Sequence, residues 1–281
     1  MRFENLRVVV TGASRYFGRA LAVGFAHLGA EVYVSARTVE AAERTRTDVM
    51  GAARDRIHAF GCDLSKPAEI REFAARVGER TDRVDLLVNN GARWLDGMDL
   101  EAASDAEIVE TIESTAGGTV LMVKHFLPLL RGSLRPDIVN MVAVRDAGGA
   151  SAATAGAAHE AFWAAKSAQA GFADILSRRL RPSGVRVFSL FPPDFSISDP
   201  RFAEWDGSNP DGTAPDEKLT TQALFECIVY AVEQLGPFVV DADAVRAGGD
   251  GHGAARGADL AVHGRYDGPV ERAGGGEGGG A

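Results

Sequence analysis

Short apolar runs alternate with longer amphipathic stretches along most of this chain. Short apolar runs are typical of buried strands, and apolar residues repeating every three to four positions are typical of helices. We predict strands at Arg7–Val10, Glu31–Ser35, Ile57–Cys62, Val84–Asn89, Asp137–Val142, Val185–Leu190 and Phe238–Val240. We predict helices near Phe17–Leu28, Val39–Ala53, Pro67–Arg80, Asp105–Leu130, Glu160–Leu180 and Thr220–Leu235. This alternation predicts a single doubly wound α/β domain, with a mostly parallel seven-stranded sheet, helices on both faces, and a ligand beyond the carboxyl ends of the strands.

Two segments interrupt the alternation. Residues 194–219 follow the sixth predicted strand and are rich in Asp, Pro, Gly and Ser. We interpret this segment as a substrate-covering loop, with a plain surface excursion as the alternative. After residue 240 the composition changes, because 13 of the last 41 residues are glycine. Such a segment has too few bulky apolar residues to offset its ordering entropy, so we predict a folded domain over residues 1–241 and a disordered tail over residues 242–281.

Composition and charge argue against several classes of partner. The 281 residues, of which 46% are hydrophobic, are enough to bury the core of one sizeable domain. A net charge of −9 disfavours a nucleic acid or an anionic membrane as partner, since both need a basic face. Cys62 and Cys227 are too few and too far apart for a disulfide framework or a zinc cluster. With the first strand starting almost at once and no membrane-length apolar run, we expect a cytoplasmic protein with reduced thiols, no metal and no signal peptide.

A glycine-containing turn follows the first predicted strand and opens the first helix. It has the sequence Thr11-Gly12-Ala13-Ser14-Arg15-Tyr16-Phe17-Gly18. In such a turn the backbone N–H groups and the positive end of the helix can approach a pyrophosphate. Two further motifs follow later strands, Cys62-Asp63-Leu64 after the third and Asn89-Asn90-Gly91-Ala92 after the fourth. Their order along the chain makes the combination far more specific than the glycine turn alone.

In this order and spacing the motifs resemble those of the short-chain dehydrogenase/reductase family, with its TGxxxGxG turn, its strand-end Asp for the adenine and its NNAG turn. Lys166 continues the match, which covers roughly residues 5–241. The resemblance implies a Rossmann-like fold and a homodimer or homotetramer that assembles through the alanine-rich helix Glu160–Leu180, unless that helix only packs on its own sheet. It also implies contacts to the cofactor from Thr11, Gly12, Ser14, Arg15, Tyr16, Phe17, Gly18, Arg37, Asp63, Leu64, Asn90, Gly91, Lys166 and Pro192.

The type of cofactor follows from charge. The second predicted strand leads into Arg37 without a carboxylate that would accept a hydrogen bond from the adenosine ribose. Arg15 and Arg37 can instead flank a 2′-phosphate, which favours NADP(H) over NAD(H); the alternative is that both arginines are solvated surface charges. Tyr16 stands at the position of the family's middle glycine. Its phenol either crowds the pyrophosphate, covers the dinucleotide or packs on the first helix.

The family's catalytic residues are largely missing. In the family a tyrosine exchanges a proton with the substrate oxygen, a lysine lowers the pKa of that tyrosine and holds the nicotinamide ribose, a serine polarises the same oxygen, and an asparagine supports a water relay. Here Lys166 matches, but Phe162 stands at the tyrosine position and Ala143 at the serine position. The asparagine position falls at Ser114 or Thr115. The resemblance therefore implies the fold of the family without its usual proton relay.

His159 is a candidate replacement for the lost phenol. It precedes Phe162 by three residues and lies on the same face if the helix has begun by then. An imidazole titrates near neutrality; the alternative is a solvent-exposed histidine at the start of the helix with no catalytic role.

Three hypotheses for the function of the protein follow from these motifs. The first is an NADP(H)-dependent oxidoreductase acting on a small carbonyl or alcohol with a non-standard proton donor. The others are a redox-silent enzyme catalysing a step such as cyclisation or dehydration, and a dinucleotide-binding regulatory protein.

Overall fold

Six parallel strands form the central sheet of the computed structural model, which describes residues 2–47, 49, 51–95, 100–142, 158–192, 195–196, 219–234, 239–240 and 262–263. The strands are β1 (Arg7–Val10), β2 (Glu31–Ala36), β3 (Ile57–Gly61), β4 (Leu86–Asn89), β5 (Asp137–Met141) and β6 (Arg186–Leu190). Their order in the sheet is β3-β2-β1-β4-β5-β6. The chain order reverses direction between β1 and β4, and ligands of open α/β sheets bind at such a switch point.

Helices cover both faces of this sheet, because the strand residues alternate between two separate hydrophobic cores. Val8 and Val10 contribute to one core and Val9 to the other. The helices are α1 (Tyr16–His27), α2 (Val39–Thr47), α3 (Ala52–Asp55), α4 (Pro67–Gly78), α5 (Asp105–Ile112), α6 (Gly118–Arg131), α7 (Glu160–Leu180) and α8 (Thr221–Glu233). The first core holds α1 and α8, and the second holds α4 and α6. The predicted doubly wound α/β class is confirmed.

Two predicted helices are each divided in the structure. The helix predicted over Val39–Ala53 becomes α2 and α3, since Gly51 has a φ of 69° and starts a new helical turn. The helix predicted over Asp105–Leu130 is interrupted by a π-helical turn at Glu113–Gly117, which joins α5 to α6. A π turn inserts a residue into the hydrogen-bond ladder and is often found at functional sites. This turn lies where the asparagine position was predicted.

The seventh predicted strand does not join the main sheet. Its residues form β9 (Val239–Val240), which pairs antiparallel with β10 (Val262–His263) rather than with β6. The sheet therefore has six strands within the described residues, rather than seven. A second short pair, β7 (Phe195–Ser196) and β8 (Leu219–Thr220), comes from the ends of the predicted substrate loop. The rest of that loop, and the predicted tail apart from β10, lie outside the described residues.

A buried ion pair fixes the end of the sheet opposite the site. The guanidinium of Arg186 at the start of β6 donates to both carboxylate oxygens of Asp137 at the start of β5, at 2.6 Å each. Arg186 and Arg135 also donate to the carbonyls of Val232 and Gln234 at the end of α8. These bonds dock α8 under the sheet by satisfying carbonyls that the end of a helix leaves without intrahelical partners.

The remaining expectations concern thiols and membranes. Cys62 and Cys227 are free thiols, and both are buried. None of the helices within the described ranges is long and apolar enough to cross a bilayer.

Candidate functional site

A cleft of about 1220 Å³ opens at the carboxyl ends of the strands. Most of the residues predicted to bind the cofactor or substrate line it: Gly12, Ser14, Arg15, Tyr16, Phe17, Gly18, Arg37, Asp63, Leu64, Asn90, Gly91, Phe162, Lys166 and Pro192. Thr11 and His159 do not belong to its wall. Ala143, the predicted serine position, lies outside the described residues. The three strand-end motifs therefore meet at one place, as expected for the carboxyl edge of a parallel sheet.

The glycine turn is held tightly against the loop after β4. A Cβ atom on Gly12 would lie 2.5 Å from the Cα of Gly91, and one on Gly18 would lie 2.3 Å from the carbonyl oxygen of Gly12. The hydroxyl of Thr11 accepts hydrogen bonds from the amides of Asn90 (3.0 Å) and Gly91 (2.9 Å). The side-chain amide of Asn90 in turn donates to the carbonyls of Thr11 and Gly12. The polar groups of Thr11 and Asn90 thus hold the glycine turn and the loop after β4 together.

Tyr16 begins α1 in a left-handed conformation, with a φ of 53°. This conformation suits the glycine usually found at this position of the family and is strained for a tyrosine. The side chain is 57% exposed, and the guanidinium of Arg15 lies 4.9 Å from its ring centroid. The ring therefore stands at the rim of the cleft. The first turn of α1 has no side-chain cap and no acidic residue, so the positive end of this helix is compatible with a bound anion.

Basic side chains gather at the α1 end of the cleft. Arg15, Arg37, Arg44 and Lys66 are exposed and line it. Arg44, on α2, was not predicted as a site residue. The sequence feature that could have indicated it is its position on the helix that directly follows Arg37. Four cations at one end of a cleft suit a ligand with phosphate groups.

The carboxylate of Asp63 lies among these cations after β3. It accepts hydrogen bonds from the amide (3.0 Å) and the hydroxyl (2.8 Å) of Ser65. Burial favours the neutral form of Asp63, but the hydrogen bonds from Ser65 and the charges of Lys66 and Arg37 outweigh it and lower the pKa of the carboxyl. Asp63 is therefore a fixed anion and hydrogen-bond acceptor at neutral pH.

Lys166 is the buried cation at the other end of the cleft. It is 5% exposed, and its amine donates to the carbonyl of Met141 (2.6 Å) and to Oε1 of Gln169 (3.1 Å). The side-chain amide of Gln169 donates to the hydroxyl of Thr119 (2.9 Å), which donates to the carbonyl of Thr115 (2.8 Å). Burial lowers the pKa of Lys166 to about 7. A polar chain thus connects the lysine to the π turn, and Gln169, which the sequence analysis missed, lies one helical turn beyond it.

Phe162 stands one turn before Lys166 on α7, as expected for residues four apart in a helix. Its ring is 8% exposed, and its centroid lies 5.6 Å from the Lys166 amine and 5.0 Å from the centroid of the Trp94 ring. Val142 and Trp163 line the same part of the cleft. Trp94, which the sequence analysis also missed, follows the Asn90-Gly91 turn. The end of the cleft near Lys166 therefore has aromatic and apolar walls.

The π turn brings the predicted asparagine position to the cleft. Ser114 lines the wall, while the hydroxyl of Thr115 accepts a hydrogen bond from the amide of Arg93 at 3.3 Å. The guanidinium of Arg93 is paired with Glu110 at 2.5 Å. Ser114 is thus the member of the pair that reaches the cleft, and Thr115 supports the loop that carries Trp94.

His159 is the N-cap of α7, and the expectation that it faces solvent is wrong. It is 1% exposed, and the helix that it caps packs against α5. Its Nδ1 accepts a hydrogen bond from the amide of Ala161 at 3.0 Å, and Nε2 has no hydrogen-bond partner within the described residues. The helix begins only at Glu160, so the argument that His159 and Phe162 share a helical face does not hold. The structure assigns the imidazole to helix capping and away from the cleft wall.

The fold and the site define a Rossmann-like α/β protein with a cleft at its switch point. The short chain dehydrogenase family model matches residues 7–201. The chain belongs to this family of oxidoreductases.

Curated relatives support the same membership. The chain is 36% identical over 126 residues to a rhamnolipids biosynthesis 3-oxoacyl-[acyl-carrier-protein] reductase of Pseudomonas aeruginosa, covering 44% of this chain and 48% of that protein. It is 32% identical over 193 residues to the short chain dehydrogenase mpl6 of Monascus purpureus, covering 66% and 63%. The chain thus spans about half to two thirds of the length of these relatives.

Solved structures share the fold. A complex described as the Pseudomonas aeruginosa RhlG/NADP active-site complex is 25% identical, with a TM-score of 0.61, and the match covers 70% of this chain and 77% of that one. A metagenomic short-chain oxidoreductase in complex with NADP is 24% identical, with a TM-score of 0.64, covering 83% and 93%. The second likeness concerns the fold alone.

Proposed function

We propose that this protein is an NADP(H)-dependent oxidoreductase that acts on a small carbonyl or alcohol, with a proton donor other than tyrosine. The observation that carries the proposal is the arrangement of the cleft. Its α1 end has a helix N-terminus without a side-chain cap and four basic side chains, and its other end has the buried amine of Lys166 beside apolar walls. The NADP named in the description of the Pseudomonas aeruginosa structure supports the same cofactor for this chain.

The residues of the cleft fit a phosphorylated dinucleotide. The close approach of Gly12, Gly18 and Gly91 leaves backbone where side chains would otherwise stand, and Tyr16 is turned out to the rim. In this proposal the first turn of α1 binds the pyrophosphate, and Arg15 and Arg37 bind the 2′-phosphate. The other residues predicted to contact the cofactor line the cleft, except Thr11, which supports the glycine turn through its hydrogen bonds to Asn90 and Gly91.

The bound cofactor would supply or accept the hydride at the end of the cleft near Lys166. There the apolar walls formed by Trp94, Phe162 and Trp163 favour a substrate with an apolar body. Ser114 presents a hydroxyl on the same wall and can hold the substrate oxygen or a water molecule.

The cofactor is tested by titrating the protein with NADPH and NADH and following the fluorescence of bound dihydronicotinamide. We expect tighter binding of NADPH, and we expect Arg37→Ala to weaken it by at least about tenfold, since one charge-assisted hydrogen-bonding site is worth roughly 1.5–3 kcal/mol. Binding of NADH should change little in the same variant. Arg131→Ala, at an exposed position at the end of α6, is the matched control for loss of positive charge. No binding at millimolar NADPH would contradict the proposed cofactor.

Turnover is tested with a panel of aldehydes and ketones in the presence of NADPH. Oxidation of NADPH above the background rate is the expected result. The apolar ring of Phe162 beside Lys166 favours one alternative, a redox-silent enzyme that holds a substrate for a non-redox step. Substrate loss that does not depend on NADPH would support that alternative. Binding of NADPH without turnover of any substrate would support a dinucleotide-binding regulatory protein.

We also propose a homodimer or homotetramer located in the cytoplasm. The oligomer would use α7, on which Ile175 is 53% exposed. Light scattering after size-exclusion chromatography gives the mass of the assembly, and Ile175→Glu should lower that mass if this face is the interface. Two buried free thiols are compatible with a reducing compartment, and cell fractionation tests the location.

A further inference from the structure

The cleft offers few groups that could replace the missing phenol. Among the described residues of its wall, Asp63 is held as an anion by its turn, and Glu110 is paired with Arg93. Tyr16 carries a phenol, but it begins α1 at the phosphate end of the cleft. His159 caps α7 and lies off the wall. Asp63, Glu110 and His159 are therefore held in other interactions, and Tyr16 lies too far toward the phosphate end, to replace the missing phenol.

We propose that Lys166 itself exchanges the proton with the substrate oxygen, in place of the tyrosine that Phe162 replaces. The proposal rests on the proposed oxidoreductase function and names the proton donor that this function leaves open. In the family the lysine acts on the substrate through the tyrosine. Here it would be a catalytic residue in direct contact with the reacting atoms.

The position of the amine supports this role. Lys166 lines the cleft beside Phe162, one helical turn away from the position where a tyrosine would stand. An ammonium has three donors. Two of them are held by the carbonyl of Met141 and by Gln169, within the described residues, which fixes the nitrogen and leaves its third donor for a ligand. Trp94, Phe162 and Trp163 near this amine are apolar or aromatic, and the hydroxyl of Ser114 is a further donor on the same wall.

The amine is also tuned for proton exchange near neutrality. Burial alone lowers its pKa to about 7. Two carboxylates on the elements packed around α7 are engaged elsewhere: Glu110 with Arg93, and Asp137 with Arg186 at the opposite end of the sheet. His159 has its Nδ1 tied to the start of α7. A general acid or base is most effective when its pKa lies near the working pH.

The step balances with the proposed cofactor as the reductant. When bound, the reduced dinucleotide would supply the hydride to the carbonyl carbon. The π electrons of the carbonyl move to its oxygen, which takes a proton from the Lys166 ammonium as the N–H bond breaks and leaves its electrons on nitrogen. The products are the alcohol and a neutral lysine amine, which then takes a proton from water. Alcohol oxidation runs through the same exchange in reverse, with the neutral amine as the base.

The direction of the reaction therefore fixes its pH dependence. Carbonyl reduction needs the ammonium, so kcat should fall as the pH rises through about 7. Alcohol oxidation needs the neutral amine, so kcat should rise through the same pH. A tyrosine or a water molecule acting without the lysine would give neither pattern at this pH.

The titration of Lys166 can be measured without turnover, because the chain contains only four lysines, at positions 66, 124, 166 and 218. Protein labelled with ¹³C at lysine Cε gives one NMR signal for each, and Lys166→Arg identifies the signal of interest. We expect that signal to titrate near pH 7 in the wild type. Lys66 provides the internal contrast, because Glu69 raises its pKa through a hydrogen bond and through its negative charge. A Lys166 signal that titrates in the ordinary range of an exposed lysine would overturn the proposal.

Kinetics of the whole protein provide the second measurement. Lys166→Arg keeps the charge but cannot give up a proton, so kcat should fall by at least about 100-fold and its pH midpoint should disappear. Lys166→Met is the second variant, and Lys124→Arg, at an exposed position on α6, is the control that should match the wild type. NADPH titration of each variant shows whether its site is still folded.

The outcomes separate the two proposals. Loss of turnover and of the pH midpoint in a variant that still binds NADPH supports Lys166 as the proton donor. If the wild type turns over and Lys166→Arg has the same rate and pH profile, Lys166 is not the proton donor and the oxidoreductase function still stands. No turnover by the wild type overturns the oxidoreductase function and the role of Lys166 with it.

Discussion

The amine of Lys166 lies 5.6 Å from the centroid of the Phe162 ring. A phenylalanine ring thus occupies the place beside the buried cation where the family carries a phenol, without displacing the lysine. A cation near an aromatic face gains a modest attraction, so the pair is compatible with a stable site. What the substitution removes is a hydroxyl, while Lys166 is held by its hydrogen bonds to Met141 and Gln169.

Phe162→Tyr should therefore restore the usual proton donor. The added phenol would lie near the ammonium of Lys166, which stabilises the phenolate and lowers the pKa of the hydroxyl. We expect kcat for carbonyl reduction with NADPH to rise by about 100-fold, the lower end of the usual contribution of a general acid. Phe162→Leu is the control, because it changes the ring without adding a hydroxyl. If the tyrosine variant binds NADPH but gains no rate, the rest of the site does not hold a substrate near position 162.

The lowered pKa of Lys166 also predicts a pH-dependent cost in stability. The folded pKa of about 7 lies below the ordinary value of 10.5, so between these limits the unfolded chain binds a proton that the folded protein does not. In that window this group makes the free energy of unfolding rise with pH, by about 1.4 kcal/mol per pH unit as an upper limit. Below about pH 7 both states are charged, and the contribution is constant.

Lys166→Met removes this dependence. We expect the stability of the variant relative to the wild type to be highest below about pH 7 and to fall by a few kcal/mol toward pH 10. Loss of the hydrogen bonds to Met141 and Gln169 shifts the whole curve by a constant amount and leaves its slope unaffected. Urea unfolding of both proteins across this pH range measures the difference. A difference that stays flat with pH would show that Lys166 keeps an ordinary pKa in the folded protein.

Tyr16 makes a separate prediction about backbone strain. A side chain in the left-handed region costs roughly 1–2 kcal/mol, and glycine avoids that cost at an entropic penalty of about 0.5–1 kcal/mol. Tyr16→Ala removes the ring and keeps the strain, whereas Tyr16→Gly removes both. The glycine variant should therefore be more stable than the alanine variant by about 0.5–1 kcal/mol in urea unfolding. The reverse order would mean that the φ of 53° at this position is relaxed in solution.

The same pair of variants tests the role of the ring toward the cofactor. Because the side chain is 57% exposed at the rim, we expect NADPH affinity to stay within about threefold in both variants, or roughly 0.7 kcal/mol. Weaker binding in both would mean that the ring covers the dinucleotide. Tighter binding in both would mean that it crowds the pyrophosphate.

The sequence predicted the parts of the fold that local pattern controls. α7 begins and ends at the predicted residues, Glu160 and Leu180, and the six strands of the main sheet all fall within a few residues of their predicted ends. Buried strands bounded by turn residues and a long alanine-rich helix produce strong local signals. The motifs at the strand ends also meet as predicted, because parallel strands bring their carboxyl ends to one edge.

Features that depend on contacts between distant segments could not be predicted in this way. The π turn at Glu113–Gly117 shares one continuous apolar pattern with α5 and α6, and β9 pairs with a strand from the predicted tail. His159 is buried at the start of α7, a helix that packs against α5 from about fifty residues earlier in the chain. Lys166 and Gln169 are three residues apart on a predicted helix, so their hydrogen bond could have been predicted from the spacing. Glutamine is uncharged, however, and was not considered as a partner of the lysine.

His159 gives a final prediction, since its Nδ1 caps α7 through the amide of Ala161. Asparagine is a favoured N-cap residue and alanine is not, so His159→Asn should be more stable than His159→Ala by about 1 kcal/mol. Both variants shorten a buried side chain, and the comparison therefore isolates the cap. Thermal and urea unfolding measure it. Because the imidazole is off the cleft wall, His159→Asn should also keep the pH profile of kcat. A variant that folds and binds NADPH yet loses turnover would instead make the buried imidazole the proton donor, acting through its Nε2.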